Sequence, residues 1–110
     1  MHQARARNYT FFGAPVGIIV YMDERLADVD VLSVGMYVQS LCLLFAEQGV
    51  GTCVQASIAG YGEIVKEVLG LEKGMRVLVG VAVGYEDGGK GVNGVRVGRE
   101  GWEGSVEFRD

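Results

Sequence analysis

One long apolar segment constrains this sequence more than any other feature. It runs from Val31 to Gln48 and stops at Gly49, a residue typical of helix ends. Asp28 and Asp30 come just before it, and either could cap a helix. The segment is too long for an ordinary strand, so it predicts a helix.

That helix is apolar around most of its circumference rather than along one stripe. Its large apolar residues are Leu32, Val34, Met36, Val38, Leu41, Leu43, Leu44 and Phe45. A helix of this kind has to be covered on most sides. A transmembrane helix is disfavoured, because Ser33, Gln39 and Ser40 interrupt a stretch that is shorter than the ~20 apolar residues needed. A second subunit, or a part of the fold outside this chain, is therefore expected to cover it.

Length and charge narrow the class of protein further. The chain has 110 residues and a mass of 11.8 kDa, which predicts a single domain over residues 1–110. A compact monomer of this mass exposes roughly 5,900 Å² of surface. With 49% hydrophobic and 22% charged residues, disorder is excluded. The net charge of −4 argues against nucleic-acid binding.

The remaining elements alternate between strands and helices. Strands are predicted over Pro15–Met22 and Val77–Val83, and the second of these reads as buried on both faces. Gly49–Gln55 is predicted to be a turn that enters a short strand. A surface helix is predicted over Tyr61–Leu69, ending at Gly70. Its inward residues would be Ile64, Val65, Val68 and Leu69, and its outward residues Glu63, Lys66 and Glu67. This order indicates α/β or α+β layering.

The side chains offer few candidates for chemistry. His2 is the only histidine, and the two cysteines, Cys42 and Cys53, form no CxxC pair, so neither a metal site nor a catalytic residue is assigned. Both cysteines are expected to be small buried hydrophobes. The N-terminus lacks the apolar run of a signal peptide, which favours a cytoplasmic protein with reduced thiols. Gly88–Gly91 lacks the phosphate-loop pattern and reads as a solvated turn.

Six segments nevertheless resemble one family, in order and at its spacing. They are Phe11–Val20, Val34–Leu41, Gly49–Ala56, Ile64–Leu71, Val79–Tyr85 and Val92–Arg99. Together they look like the second half of a nitroreductase-family flavoprotein, and they cover nearly the whole chain. The resemblance implies an α+β fold, a three-layer α/β/α sandwich that is incomplete here, with a long buried central helix.

The resemblance also implies an activity. Family members are FMN-dependent oxidoreductases that take hydride from NAD(P)H and reduce small-molecule acceptors such as nitroaromatics or quinones. They form homodimers with FMN at the interface, and the Val31–Gln48 helix would pack in that dimer.

Six residues are implied as cofactor-binding. Val54, Gln55, Ala56 and Ser57 would lie against the flavin ring, with backbone amides at its N5 edge. Arg99, or Arg96 as second candidate, would hold the FMN phosphate, which suits the forked geometry of a guanidinium.

The resemblance implies that the N-terminal half of the family, with its arginine-rich flavin motif, has no counterpart in this sequence. The chain is accordingly expected to be a fragment or a shortened homologue. The alternative to an FMN oxidoreductase is a non-catalytic remnant that folds only by association and binds no flavin.

Overall fold

The computed structural model describes residues 6–109, so His2 lies outside the described residues. This part of the chain forms the strands and α-helices β1 (Val16–Asp23), α1 (Asp28–Glu47), β2 (Gly51–Gln55), α2 (Gly62–Leu69) and β3 (Met75–Gly84). A 3₁₀ segment, Arg7–Gly13, precedes β1, and a second one, Ala56–Tyr61, joins β2 to α2. Each predicted element is present, with ends that differ by up to three residues.

The three strands form one antiparallel sheet with β3 in the middle. β1 and β2 both pair with β3, so that Val81 lies opposite Ile18 on one side and Val54 on the other. The central position explains the continuous apolar run of β3, in which Val81 has no exposed surface at all. The prediction that this strand is buried on both faces is confirmed.

Helix α1 covers one face of the sheet. Val34, Val38, Cys42 and Phe45 lie along one stripe of the helix, at the spacing of successive turns, and pack with Val20, Val81 and Val83. Asp30 caps the helix from its first turn, where its carboxylate accepts the backbone N–H of Ala27 at 2.9 Å. By length and composition α1 could also cross a bilayer, but its inward stripe belongs to the core of the sheet.

The 3₁₀ segments and α2 cover the opposite face. Ile58, from the second 3₁₀ segment, is buried against Gly80, and Phe11, from the first, lies on Gly17 and Gly80. Gly62 at the start of α2 meets Val77. The predicted three-layer α/β/α arrangement of an α+β fold is therefore confirmed.

The outer face of α1 is left uncovered by this chain, so covering the helix on most sides requires a second subunit or a part of the fold outside this chain. In the single chain its outward residues are exposed: Val29, Leu32, Met36, Tyr37, Leu43 and Leu44. The chain exposes 8825 Å² in total. That is about half as much again as a compact monomer of this mass exposes.

Helix α2 is rotated relative to the prediction. Ile64, Val68 and Leu69 are exposed, whereas Lys66 is largely covered and pairs with Glu63 at 2.6 Å. The periodicity located an apolar stripe correctly, but within one chain only Val65 of that stripe is half-buried. The apolar stripe of α2 and the outer face of α1 thus both point away from the sheet.

Beyond β3 the chain runs as an open tail. Every residue from Tyr85 to Arg109 is exposed except the half-buried Asn93. Trp102 and Phe108 pack edge to face within the tail, with ring centroids 6.0 Å apart. Gly88–Gly91 is part of this tail, in agreement with its reading as a solvated turn.

Candidate functional site

The end of β2 carries the segment that the sequence singles out, Val54–Ser57. Val54 and Ala56 are exposed, Gln55 is buried and Ser57 is half-buried. This alternation follows from the strand, in which successive side chains point to opposite faces, and from the edge position of β2. The segment therefore combines an accessible surface with a buried polar anchor.

That anchor is the carboxamide of Gln55, whose residue is only 2% exposed. Its Nε2 donates to the backbone oxygen of Asn8 at 2.8 Å and lies 3.3 Å from Asn8 Oδ1. Among residues 6–109, Gln55 is the one polar residue that is fully buried. These hydrogen bonds connect the end of β2 to the first 3₁₀ segment.

Two further polar atoms of the segment lie buried without a hydrogen-bond partner in the described part of the chain. They are Gln55 Oε1 and Ser57 Oγ. A buried polar group left without a partner costs about 1–3 kcal/mol. Both atoms belong to the four residues implied as the flavin contact, so these two buried polar atoms without partners lie at the candidate site.

Close packing around Gly80 holds the same region in place, the corner where the end of β2 meets the two 3₁₀ segments. Gly80 pairs with Gln55 across the ladder, and the rings and side chains of Phe11 and Ile58 lie on it. Phe11 reaches this position through a left-handed turn: its φ is 50°, that of Phe12 is 56° and that of Gly13 is 78°. Such angles are unfavourable for phenylalanine, so the surrounding contacts hold the turn in place.

A ring contact completes the corner. Tyr9 and Tyr61 stack edge to face with centroids 5.0 Å apart, which joins the two 3₁₀ segments. The first 3₁₀ segment is therefore attached to the end of β2, to the middle of β3 and to the segment that follows β2.

The two arginines lie elsewhere, in the exposed tail. Arg96 Nη1 donates to Asn93 O at 2.7 Å, whereas Arg99 makes only a long contact of 3.4 Å with the oxygen of Gly98. In the described part of the chain neither arginine forms an ion pair or a hydrogen bond with Val54–Ser57.

Cys53, next to the segment, corrects one expectation. It is exposed, and Cys42 is half-buried, so only Cys42 approaches the predicted role of a small core residue. Cys53 is exposed because β2 is an edge strand. Both cysteines are free thiols.

A cleft of about 460 Å³ lies between α2 and the start of β3, and it is lined in part by Ala59 and Tyr61 of the second 3₁₀ segment. Its charged lining residues are Glu24, Glu63, Lys66 and Arg76. Across residues 6–109 no group of three or more histidine, cysteine or carboxylate side chains is arranged to hold a metal ion.

The contact between Gln55 and Asn8 was not foreseen from the sequence. The resemblance pointed to the backbone of Val54–Ser57 and left the side chain of Gln55 without a role. A polar amide in an otherwise apolar strand end is the signal that could have revealed it, because a buried amide requires a partner.

Comparisons with known proteins agree with this fold. The chain matches the Nitroreductase family over residues 1–85, which include Val54–Ser57 but not Arg96 or Arg99. It is 36% identical over 101 residues to the 4-nitrobenzoate reductase of Pseudomonas putida, an alignment that spans 92% of this chain and 44% of the relative.

Solved structures extend the likeness to three dimensions. The FMN-dependent nitroreductase NfnB from Mycobacterium smegmatis, solved in complex with NADPH, superposes with a TM-score of 0.92 at 29% identity. The FMN- and NADPH-dependent nitroreductase NfnB from sphigopyxis sp. strain HMH superposes with a TM-score of 0.90 at 32% identity.

These alignments cover 98% and 94% of this chain but only 48% and 47% of the two solved chains. The chain therefore spans about half the length of the relatives that it matches. Over that half, the sheet, the covering helices and the corner at the end of β2 follow one fold, and the chain belongs to the nitroreductase family.

Proposed function

We propose that this chain acts as part of an FMN-dependent oxidoreductase of the nitroreductase type. The observation that carries the proposal is the superposition of nearly the whole chain on nitroreductases described as FMN- and NADPH-dependent. When bound, FMN would supply the hydride chemistry, with NAD(P)H as the donor and a nitroaromatic or quinone-like small molecule as the acceptor.

The residues at the end of β2 suit a flavin ring. Val54 and Ala56 offer an exposed surface at a strand end, and Ser57 lies in the first turn of a 3₁₀ segment, where backbone N–H groups lack partners within the helix. The half-buried Ser57 also has a hydroxyl oxygen without a partner in the described part of the chain. We assign the ring contact to Val54, Gln55, Ala56 and Ser57, with the backbone amides at the N5 edge.

Arg99 is assigned to the phosphate. Its guanidinium is exposed and makes a single long contact in the described chain, so most of its five donors are available. Arg96 is the second candidate, but its Nη1 already donates to Asn93. If the flavin lies between two subunits, the arginine of either subunit could serve.

We infer that the functional unit is a homodimer that uses the outer face of α1. That face carries six exposed large apolar side chains, and the total exposed area far exceeds that of a compact monomer. An apolar helix face of this extent is typical of obligate interfaces, because these are larger and more hydrophobic than transient interfaces. The two free thiols favour a cytoplasmic location.

Purification of the full chain tests the proposal. The protein is expected to bind added FMN, and NADPH is expected to bleach the absorption of the bound flavin, which a nitroaromatic acceptor then restores. Free FMN at the same concentration is the control. A protein that stays colourless after incubation with excess FMN and removal of unbound ligand would instead favour the non-catalytic remnant.

A further inference from the structure

The buried carboxamide of Gln55 lies within the segment assigned to the flavin ring, yet it points away from the exposed surface of that segment. Its two nitrogen-borne hydrogens face Asn8, with N···O distances of 2.8 and 3.3 Å. Asn8 precedes Gln55 by 47 residues, so the contact fixes the strand end to a distant part of the chain.

The first 3₁₀ segment, to which Gln55 is hydrogen-bonded, is itself held in place by close packing. Phe11 lies on Gly80 so closely that a Cβ there would be 3.3 Å from its ring, and Tyr9 packs edge to face on Tyr61. The first 3₁₀ segment therefore offers Gln55 a fixed support, rather than a loose loop that would follow the strand.

Packing alone does not require an amide at this position. A methionine has a similar length and volume, and it would bring no buried oxygen that lacks a partner, as Gln55 Oε1 does. The gain from the bonds to Asn8 is offset in part by that unpaired oxygen. The amide is thus better explained by the geometry it imposes than by the stability it adds.

We propose that Gln55 is a positioning residue: through its hydrogen bonds to Asn8 it holds the backbone of Val54–Ser57 in the conformation that meets the flavin ring. This inference rests on the proposed function. Gln55 is not a catalytic residue, since its carboxamide is directed at Asn8 and away from the exposed side of the strand.

Gln55→Met tests the inference in the 110-residue chain, with Gln48→Met as the matched control. Gln48 is an exposed glutamine at the end of α1, outside the candidate site. Each variant is titrated with FMN, the visible circular dichroism of the bound flavin is recorded, and thermal unfolding is followed without FMN. Gln55→Met is expected to bind FMN about tenfold more weakly than the unchanged protein, with altered flavin dichroism and a nearly unchanged unfolding temperature.

Gln55→Glu supplies a second readout. It keeps the shape but places a buried carboxyl group opposite the oxygens of Asn8, and burial raises the pKa of such a group. The protonated acid can still donate to Asn8, whereas the carboxylate repels those oxygens, so FMN binding by Gln55→Glu is expected to weaken as the pH rises more than it does in Gln48→Met.

The outcomes separate the two proposals. If the unchanged protein binds no FMN, the proposed function fails, and this inference fails with it. If it binds FMN and Gln55→Met binds equally well with the same dichroism, only the positioning role is overturned. The same holds if Gln55→Met loses stability while its flavin signals and affinity stay unchanged, because Gln55 would then serve folding alone.

Discussion

The side chain of Ile58 lies directly on the Cα of Gly80 in the central strand. A Cβ built on Gly80 would be 2.7 Å from Ile58 Cγ1 and 3.3 Å from Phe11 Cε1. The close approach of two segments to one strand thus depends on a residue without a side chain. Gly80 pairs with Gln55 in the sheet. The same contact therefore also determines how closely the 3₁₀ segments pack on the sheet beside the candidate site.

Gly80→Ala is therefore expected to destabilise the fold by about 1–3 kcal/mol, as overpacking of a core does. Gly35→Ala is the matched control, because nothing lies within 4 Å of a Cβ at Gly35, in the middle of α1. That change should instead stabilise the protein by about 0.5–1 kcal/mol, the usual gain of alanine over glycine in a helix. Chemical denaturation measures both, and equal effects of the two variants would contradict the packing at Gly80.

Met36→Glu tests the association through α1. Met36 is 60% exposed in the middle of the outer face, and a charge placed there would be buried without a partner in the dimer. The dissociation constant is expected to rise by at least about 100-fold. Gln48→Glu, which adds the same charge at an exposed position at the end of α1, is the control and should leave association unchanged. Sedimentation velocity decides, and a stable monomer of the unchanged chain at micromolar concentration would refute the proposed dimer.

Ser57→Pro tests the backbone contact with the flavin ring. Proline removes the N–H of a residue in the first turn of a 3₁₀ segment, a place where proline is compatible with the helix. FMN binding is expected to weaken, or flavin reduction by NADPH to slow, while the protein still folds. Ser57→Ala keeps the N–H and removes only the hydroxyl, so any change in FMN binding or reduction should be smaller than in Ser57→Pro. Identical reduction kinetics in Ser57→Pro and the unchanged protein would argue against this placement.

The sequence predicted the helices and strands better than it predicted which residues cover them. The run of β3 and the length of α1 follow from residue pattern alone, and both are present. The orientation of α2 does not follow, because periodicity identifies an apolar stripe without saying whether this chain or another covers it. Ile64 and Val68 are exposed for that reason, although their spacing is that of a packed face.

The candidate site shows the same limit. The resemblance located Val54–Ser57, but the anchor between Gln55 and Asn8 depends on residues 47 positions apart. No local pattern encodes such a contact. The left-handed turn at Phe11 and Phe12 could not be predicted either, because phenylalanine has no preference for those angles. The packing of Phe11 on Gly17 and Gly80 holds the turn in place.

Asp23 gives a prediction for pH dependence. The hydrogen bond from the Arg25 guanidinium, and another from the Arg25 backbone, lower the pKa of Asp23 from 3.8 to about 2. A carboxyl whose pKa is depressed in the folded state stabilises it above the unfolded value, and that contribution is lost as the pH falls from 3.8 towards about 2. NMR titration of the Asp23 carboxyl should show the low pKa, and Arg25→Ala should restore it towards the ordinary value. The effect on stability is expected to be small, because Arg25 is exposed.

The phosphate assignment depends on Arg99 being available. The chain carries a net charge of −4, so a phosphate with nearly two negative charges requires a dedicated cation. Arg96 has one of its donors occupied by Asn93 O at 2.7 Å, whereas Arg99 has only a 3.4 Å contact with Gly98 O. Arg99 is therefore expected to contribute more to FMN binding than Arg96.

Arg99→Ala should weaken FMN binding by roughly 10- to 100-fold, because a charge-assisted hydrogen bond contributes about 1.5–3 kcal/mol. Arg99→Lys should recover part of the loss, since a point charge replaces a planar fork. Riboflavin has no phosphate, so its affinity should hardly change in either variant. Arg96→Ala is the matched control, with a smaller loss of FMN affinity. If titration shows that FMN and riboflavin lose affinity equally in Arg99→Ala, Arg99 does not bind the phosphate and acts only on the ring segment or on the fold of the tail.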